Sequence, residues 1–223
     1  MSEVLSAKQL SIEFHDGSFK LHPVDIHLKR GEILSIIGES GSGKSTLAKA
    51  LTHMNATNAV VHGSVCICGK DLYSISDNEC TQMRMHQFAI AMQNSRELLN
   101  PMLTVRSQLN EVLVKKYVGD EKERRLKTLI ELTDFPEEAL DNYPSELSGG
   151  MVQKVLLMSA ISLHPDVVVL DEPTSALDHD SAIAVTRMIQ TIHQEKGTSF
   201  LIITHDLRFA LDISRRTYPE GVF

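Results

Sequence analysis

Apolar and polar residues alternate in short segments between residues 10 and 28, broken by Gly17 and Pro23, which predicts antiparallel strands around a turn. The pattern then changes. Residues 32–37, Glu-Ile-Leu-Ser-Ile-Ile, form a compact apolar strand that runs through a glycine-rich turn into residues 44–51, a helix by composition. Three further apolar strands are predicted at residues 88–92, 167–170 and 199–203. Strands apolar along their whole length and separated by helical segments imply a parallel sheet covered on both faces. Between the first and second of these strands, residues 94–147 differ in character. Residues 105–118 and 121–132 both carry the spacing of amphipathic helices. The expected organisation is one α/β domain: residues 1–93 and 148–223 form the core, and residues 94–147 form an inserted helical subdomain.

Composition limits the function. The chain has 223 residues, 42% hydrophobic and 23% charged, the balance of a folded, water-soluble protein. A net charge of -7 argues against nucleic acid as a partner, since such binding needs clustered Lys and Arg against phosphates. Cys66, Cys68 and Cys80 are too few for a disulfide framework and fit a reducing cytosol. Cys66-Ile67-Cys68 has no second pair to complete a zinc site, so these read as ordinary strand cysteines. The mixed-sign run 121–125 reads as a solvated helix face. The N-terminus lacks a basic start followed by an apolar core, so no signal peptide is expected. No apolar run reaches the roughly 20 residues that span a bilayer, and a membrane role has to come through a partner.

Gly38-Glu39-Ser40-Gly41-Ser42-Gly43-Lys44-Ser45 fits G-x-x-x-x-G-K-[ST] between a predicted strand and a predicted helix. Glycines let backbone N–H groups and the positive helix end wrap a polyphosphate. Residues Gly38 to Thr46 are therefore the candidate ATP cradle: Lys44 would reach the β- and γ-phosphates, and the Ser45 hydroxyl would ligate Mg²⁺. The plainer alternative is a Gly/Ser-rich turn before a helix capped by Ser42. Asp171 and Glu172 end an apolar strand, where α/β sheets assemble ligand sites. Asp171 would hold the metal and Glu172 would polarise an attacking water. Alone, the two acids could simply start a turn at Pro173.

Leu147-Ser148-Gly149-Gly150-Met151 resembles the signature sequence of the ATP-binding-cassette (ABC) ATPases. The family's other marks follow in order. Gln93 resembles the Q-loop glutamine, Ser175-Ala176-Leu177-Asp178 the D-loop, and His205 the switch histidine. The resemblance implies a P-loop NTPase core with an N-terminal antiparallel β subdomain and an inserted α-helical subdomain. It also implies a head-to-tail dimer of like or unlike ATPase subunits, in which Ser148, Gly149 and Gly150 meet an ATP held by the partner chain. His205 would contact the γ-phosphate. Gln93 would sense Mg²⁺ or the attacking water. Adenine would stack on an aromatic upstream of the phosphate loop, with Phe14, Phe19 and His15 as the choices.

Leu99-Asn100-Pro101, and Tyr143-Pro144-Ser145-Glu146 before Met151, narrow the resemblance to the ATPases of peptide and nickel importers. Those lie on the cytoplasmic, inner face of the cell membrane, bound to integral permease subunits and served indirectly by a solute-binding protein. The basic residues that follow the family's methionine are replaced here by Val152, with Lys154 two residues on. After His205 little length is left for the strands with which the family usually ends. The expected function is ATP-driven import of an oligopeptide, nickel or a metal chelate. A soluble cassette in an enzyme complex, as in phosphonate breakdown, is the alternative. A DNA-repair ATPase is disfavoured by the acidic balance and the lack of a long coiled-coil insertion.

Overall fold

Every residue of Ile33–Ile37, Val167–Asp171 and Ser199–Thr204 is buried. These are three central strands in a computed structural model that describes residues 2–92, 95–175, 177–214 and 216–218. In chain order the elements are β1 (Glu3–Phe14), β2 (Lys20–Lys29), β3 (Ile33–Ile37), α1 (Lys44–Leu51), β4 (Ala59–Ile67), β5 (Lys70–Asp71), α2 (Asp77–His86) and β6 (Phe88–Ala91). Then come α3 (Val105–Leu113), α4 (Gly119–Thr133), α5 (Gly149–Ile161), β7 (Val167–Asp171), α6 (His179–Lys196), β8 (Ser199–Thr204), α7 (Leu207–Ile213) and β9 (Arg216–Tyr218).

Two sheets result. One is antiparallel in the order β2-β1-β4-β5, and the other is parallel in the order β6-β7-β8-β3-β9. Successive strand residues point to opposite faces, and the parallel sheet uses this to build two cores. Val168, Leu170, Phe200 and Ile202 pack among α3 to α7, while Val167, Val169, Leu201 and Ile203 pack among β1, β2, α1 and α2. Burial on both faces is why these strands carry no polar alternation.

The predicted strand pair around Gly17 is present as β1 and β2, with Glu13 opposite Lys20. The first expected helix of the insert ends earlier than its pattern suggested, at Leu113 rather than residue 118. Lys115 N–H donates to Val112 O and Lys116 N–H to Leu113 O, which tightens the chain so that Tyr117 is buried. The second helix starts two residues before the expected position, at Gly119. Beyond α7, Arg216–Tyr218 adds an edge strand beside β3, so the last residues hold more sheet than their number suggested.

Cys66 lies in β4, and Cys68 lies just beyond it at φ 50. Among the described residues no group of three or more His, Cys, Asp or Glu could hold a metal ion. No described helix is long and apolar enough to cross a membrane.

Candidate functional site

Strands β7, β8 and β3 are parallel neighbours, so their carboxyl ends open at one edge of the sheet. From β3 the chain enters the loop Gly38–Gly43 and turns into α1 at Lys44. Gly41 at φ 83 and Gly43 at φ 94 adopt a backbone that L side chains rarely take. A Cβ on Gly43 would lie 2.2 Å from Phe19 Cζ, so glycine is required there twice over. Lys44 is buried, and its Nζ donates to Gly38 O at 2.7 Å and Glu39 O at 2.6 Å. Gly38 N–H in turn donates to Thr204 O, which ties the loop to the end of β8.

A cleft of about 280 Å³ lies over this loop. Ser40, Gly41, Gly43, Lys44, Ser45 and Thr46 line one side, and Phe19, Glu172 and His205 complete it. Ser42 stays beneath, with its Oγ buried and unpartnered among the described residues. Of the three aromatic choices, only Phe19 borders the cleft; Phe14 and His15 line a separate pocket with Gly17 and His62. Phe14 meets Phe19 edge-on, with ring centroids 6.1 Å apart.

Glu172 follows β7 in a left-handed conformation, φ 52, a strain that concentrates at functional sites. The side chain is held on several sides. Thr204 Oγ1 donates to Oε2 at 3.2 Å, His205 N–H donates to Oε1 at 3.1 Å, and the His205 ring Nδ1 lies 2.8 Å from Oε1. Lys44 Nζ is 3.8 Å from the same oxygen. The structure thus brings together Lys44, at the start of α1, and Glu172 and His205, just beyond the ends of β7 and β8. Thr204 is a site residue that sequence reasoning missed, because a threonine ending an apolar strand carries no signal of its own.

Asp171 is 1% exposed, and neither carboxylate oxygen has a hydrogen-bond partner among the described residues. Burial raises its pKa, and the neighbouring Glu172 charge adds to this. The Ser45 hydroxyl opposes the shift, though without good hydrogen-bond geometry, and Lys44 and Lys49 oppose it through their charge. An orphaned buried carboxylate beside a hydroxyl is a hard, oxygen-only donor set. It fits Mg²⁺, which is held by one or two such ligands plus waters and phosphate oxygens.

Ser148, Gly149 and Gly150 do not line this cleft. They open α5, where Ser148 Oγ accepts Met151 N–H at 3.3 Å as the helix cap. Gly150 is buried against α6: a Cβ there would lie 2.7 Å from Ser181 Oγ. Asp178 caps α6, accepting Ser181 N–H at 3.0 Å and Ser181 Oγ–H at 2.7 Å. Gln93 and Ala176 lie outside the described residues.

The sequence matches the ABC transporter family over residues 21–175. It is 33% identical over 219 residues to the oligopeptide transport ATP-binding protein OppD of Lactococcus lactis subsp. cremoris (strain SK11), covering 95% of this chain and 65% of that protein. It is 35% identical over 190 residues to the oligopeptide transport ATP-binding protein AppD of Bacillus subtilis (strain 168), covering 82% of this chain and 58% of that one. The chain therefore spans less than two thirds of these relatives' length. The dimeric ATP-binding cassette MJ0796, in a post-hydrolysis state bound to ADP and Pi, superposes with a TM-score of 0.81 at 27% identity, covering 92% of this chain and 90% of its own. The match over residues 21–175 and the similarity to the Lactococcus lactis protein agree, and this chain belongs to the ABC transporter family.

Proposed function

We propose that this chain binds and hydrolyses ATP with Mg²⁺ and drives a membrane permease that imports peptides. The observation that carries the reading is the convergence of Lys44, Glu172 and His205 on one cleft over a glycine-rich loop. The loop amides and the α1 N-terminus receive the phosphates, and Lys44 neutralises the β- and γ-oxygens. Ser45 and Asp171 hold Mg²⁺, which when bound supplies charge neutralisation at the transferred phosphoryl group. Phe19, rather than Phe14 or His15, offers its ring to the base or sugar.

Glu172 takes the proton of the attacking water as general base. His205 Nδ1, in the tautomer that carries its proton there, holds the accepting carboxylate in place while the ring faces the cleft. Ser148, Gly149 and Gly150 serve a second site: they close over the ATP of a partner cassette, with the positive end of α5 facing its γ-phosphate. Gln93 links the nucleotide to the helical segment. Residues 1–93 and 148–223 act as the core with its β subdomain, and residues 94–147 as the helical subdomain that meets the permease on the cytoplasmic face of the membrane. A solute-binding protein acts indirectly through that permease. Both transport relatives named above are oligopeptide proteins, which favours a peptide over nickel or a metal chelate.

Lys44→Ala tests the nucleotide site. Removing a charge-assisted contact should weaken ATP affinity about tenfold or more, read by titration with a fluorescent ATP analogue. Intact affinity would remove the phosphate-loop assignment. Solubilised membranes test the partner: integral permease subunits should co-purify with the chain, and a consistently soluble complex of enzymes would overturn the transport reading.

A further inference from the structure

Helix α5 carries Ser148 and Gly150 in its first turn, and its far end is held in a way that helix termination does not require. The chain already closes α5 locally: His164, at φ 55, donates its N–H to Ile161 O at 3.1 Å, and Ser162 N–H donates to Ser159 O at 3.3 Å. Three successive carbonyls there also accept bonds from cations of the inserted helices. Arg125 of α4 donates Nε–H to Ser162 O at 2.9 Å and Nη2–H to Ile161 O at 2.5 Å. Lys116, between α3 and α4, donates from Nζ to Leu163 O at 2.8 Å.

Arg125 is 6% exposed, and burial lowers its pKa with only the Tyr117 hydroxyl opposing, so no described carboxylate compensates the charge. A buried, unpaired guanidinium is an expensive way to cap a helix. It is an effective way to fix two elements, because its planar fork sets distance and angle together. The carbonyls it grips are the negative end of the α5 dipole.

We propose that Arg125, assisted by Lys116, is a positioning residue for the signature turn. It locks α5 to α4, so that Ser148 and Gly150 move as one body with the inserted helices when they close on the partner's nucleotide. This rests on the reading of Ser148 and Gly150 given above. At thirteen residues α5 is about 20 Å long, and its other end is seated where Gly150 touches Ser181. Val152, Val155, Leu157 and Met158 pack the middle of α5 into the core, so the clamp and the Gly150 seat fix its two ends; without the clamp one end is released and the signature turn loses its aim.

The test compares full-length Glu172→Gln with the same chain carrying Arg125→Met, Arg125→Lys or Lys116→Met. Sedimentation measures the ATP-dependent dimer, and a fluorescent ATP analogue measures binding to the monomer. The clamp predicts nucleotide affinity within about twofold throughout, since the phosphate loop is untouched. The dimer dissociation constant should rise about tenfold or more for Arg125→Met and about threefold for Lys116→Met, with Arg125→Lys recovering part of the loss. A folded Arg125→Met chain that dimerises like its parent overturns the proposal. Should Arg125→Met fail to fold, Lys116→Met on its exposed turn decides alone, and unchanged dimerisation overturns the clamp. A Glu172→Gln parent that binds ATP yet stays monomeric overturns the signature reading first and the clamp with it, an outcome visible before any clamp variant is compared.

Discussion

At the scale of single residues, Asp171 shows how the site trades stability for chemistry. Among the described residues its buried carboxylate has no hydrogen-bond partner of good geometry, and burial holds its pKa above the ordinary 3.8. A raised carboxylate pKa means the native state binds more protons than the unfolded chain, so stability falls as pH rises above 3.8 and the penalty is present at pH 7. Asp171→Asn should therefore stabilise the protein without nucleotide by about 1–3 kcal/mol in calorimetry at pH 7, with the gain vanishing below the ordinary carboxylate value. The same variant should lose the Mg²⁺-dependent part of ATP binding. A chain destabilised at pH 7 would show that Asp171 has a structural partner after all.

His164 works in the opposite direction. Partial burial, then Arg125, Lys116 and Lys196, hold its pKa down to about 4 from 6.5. The folded chain keeps this ring neutral, so the stability it contributes is complete above pH 6.5 and lost as pH falls toward 4. His164 is exposed at the surface and the charges around it are screened, which limits the effect to about 1 kcal/mol at most. His164→Gln should flatten denaturant stability across that window, and an unchanged pH profile would contradict the assignment.

That Lys44 and Glu172 are candidates for one site was legible in the sequence, because each sits in a motif with fixed neighbours along the chain, and the fold places both on one cleft. Thr204 and Arg125 were not, because each acts on groups more than thirty residues away.

At the scale of elements, the phosphate loop depends on glycine for space as well as for φ. Gly43→Ala would put a methyl carbon into Phe19 at a position where φ is 94. Strain of about 1–3 kcal/mol should appear in denaturant unfolding, and ATP affinity should fall while helix content is retained. Affinity unchanged from the parent would mean that Phe19 gives way freely. Strands β3, β7 and β8 could be read from the chain because both of their faces are buried and the whole run is apolar. Strand β4 could not. Gly63, at φ 91 and close to the carbonyls of Lys8 and Gln9, interrupts its pattern opposite a bulge in β1 between Lys8 and Ser11. Helix α2 did leave a trace, since Ser76 accepts Glu79 N–H as its cap, but its sequence is too polar to show an apolar face.

At the scale of the whole molecule, one parallel sheet separates two cores with different duties. One core packs Leu47, Ala48 and Leu51 of α1 against β1 and β2, behind the Gly38–Gly43 loop, and the other packs Val155, Leu157 and Met158 of α5 among α3 to α7. The architecture and the nucleotide cleft were legible because motifs and apolar strands alternate in a set order. The contacts at the two ends of α5 were not, since the Gly150–Ser181 approach and the Arg125 bonds join residues far apart in the chain and arise only when it folds.

The claim on which the rest depends is that Glu172 activates water in the Lys44 cleft of an ATP-closed dimer. Steady-state ATP hydrolysis by Glu172→Gln, with ATP binding measured on the same sample, tests it most directly. With Glu172 as the base, the variant should retain binding, lose turnover about a hundredfold or more, and form an ATP-bound dimer that outlives that of the parent. Hydrolysis at the parent's rate would contradict it.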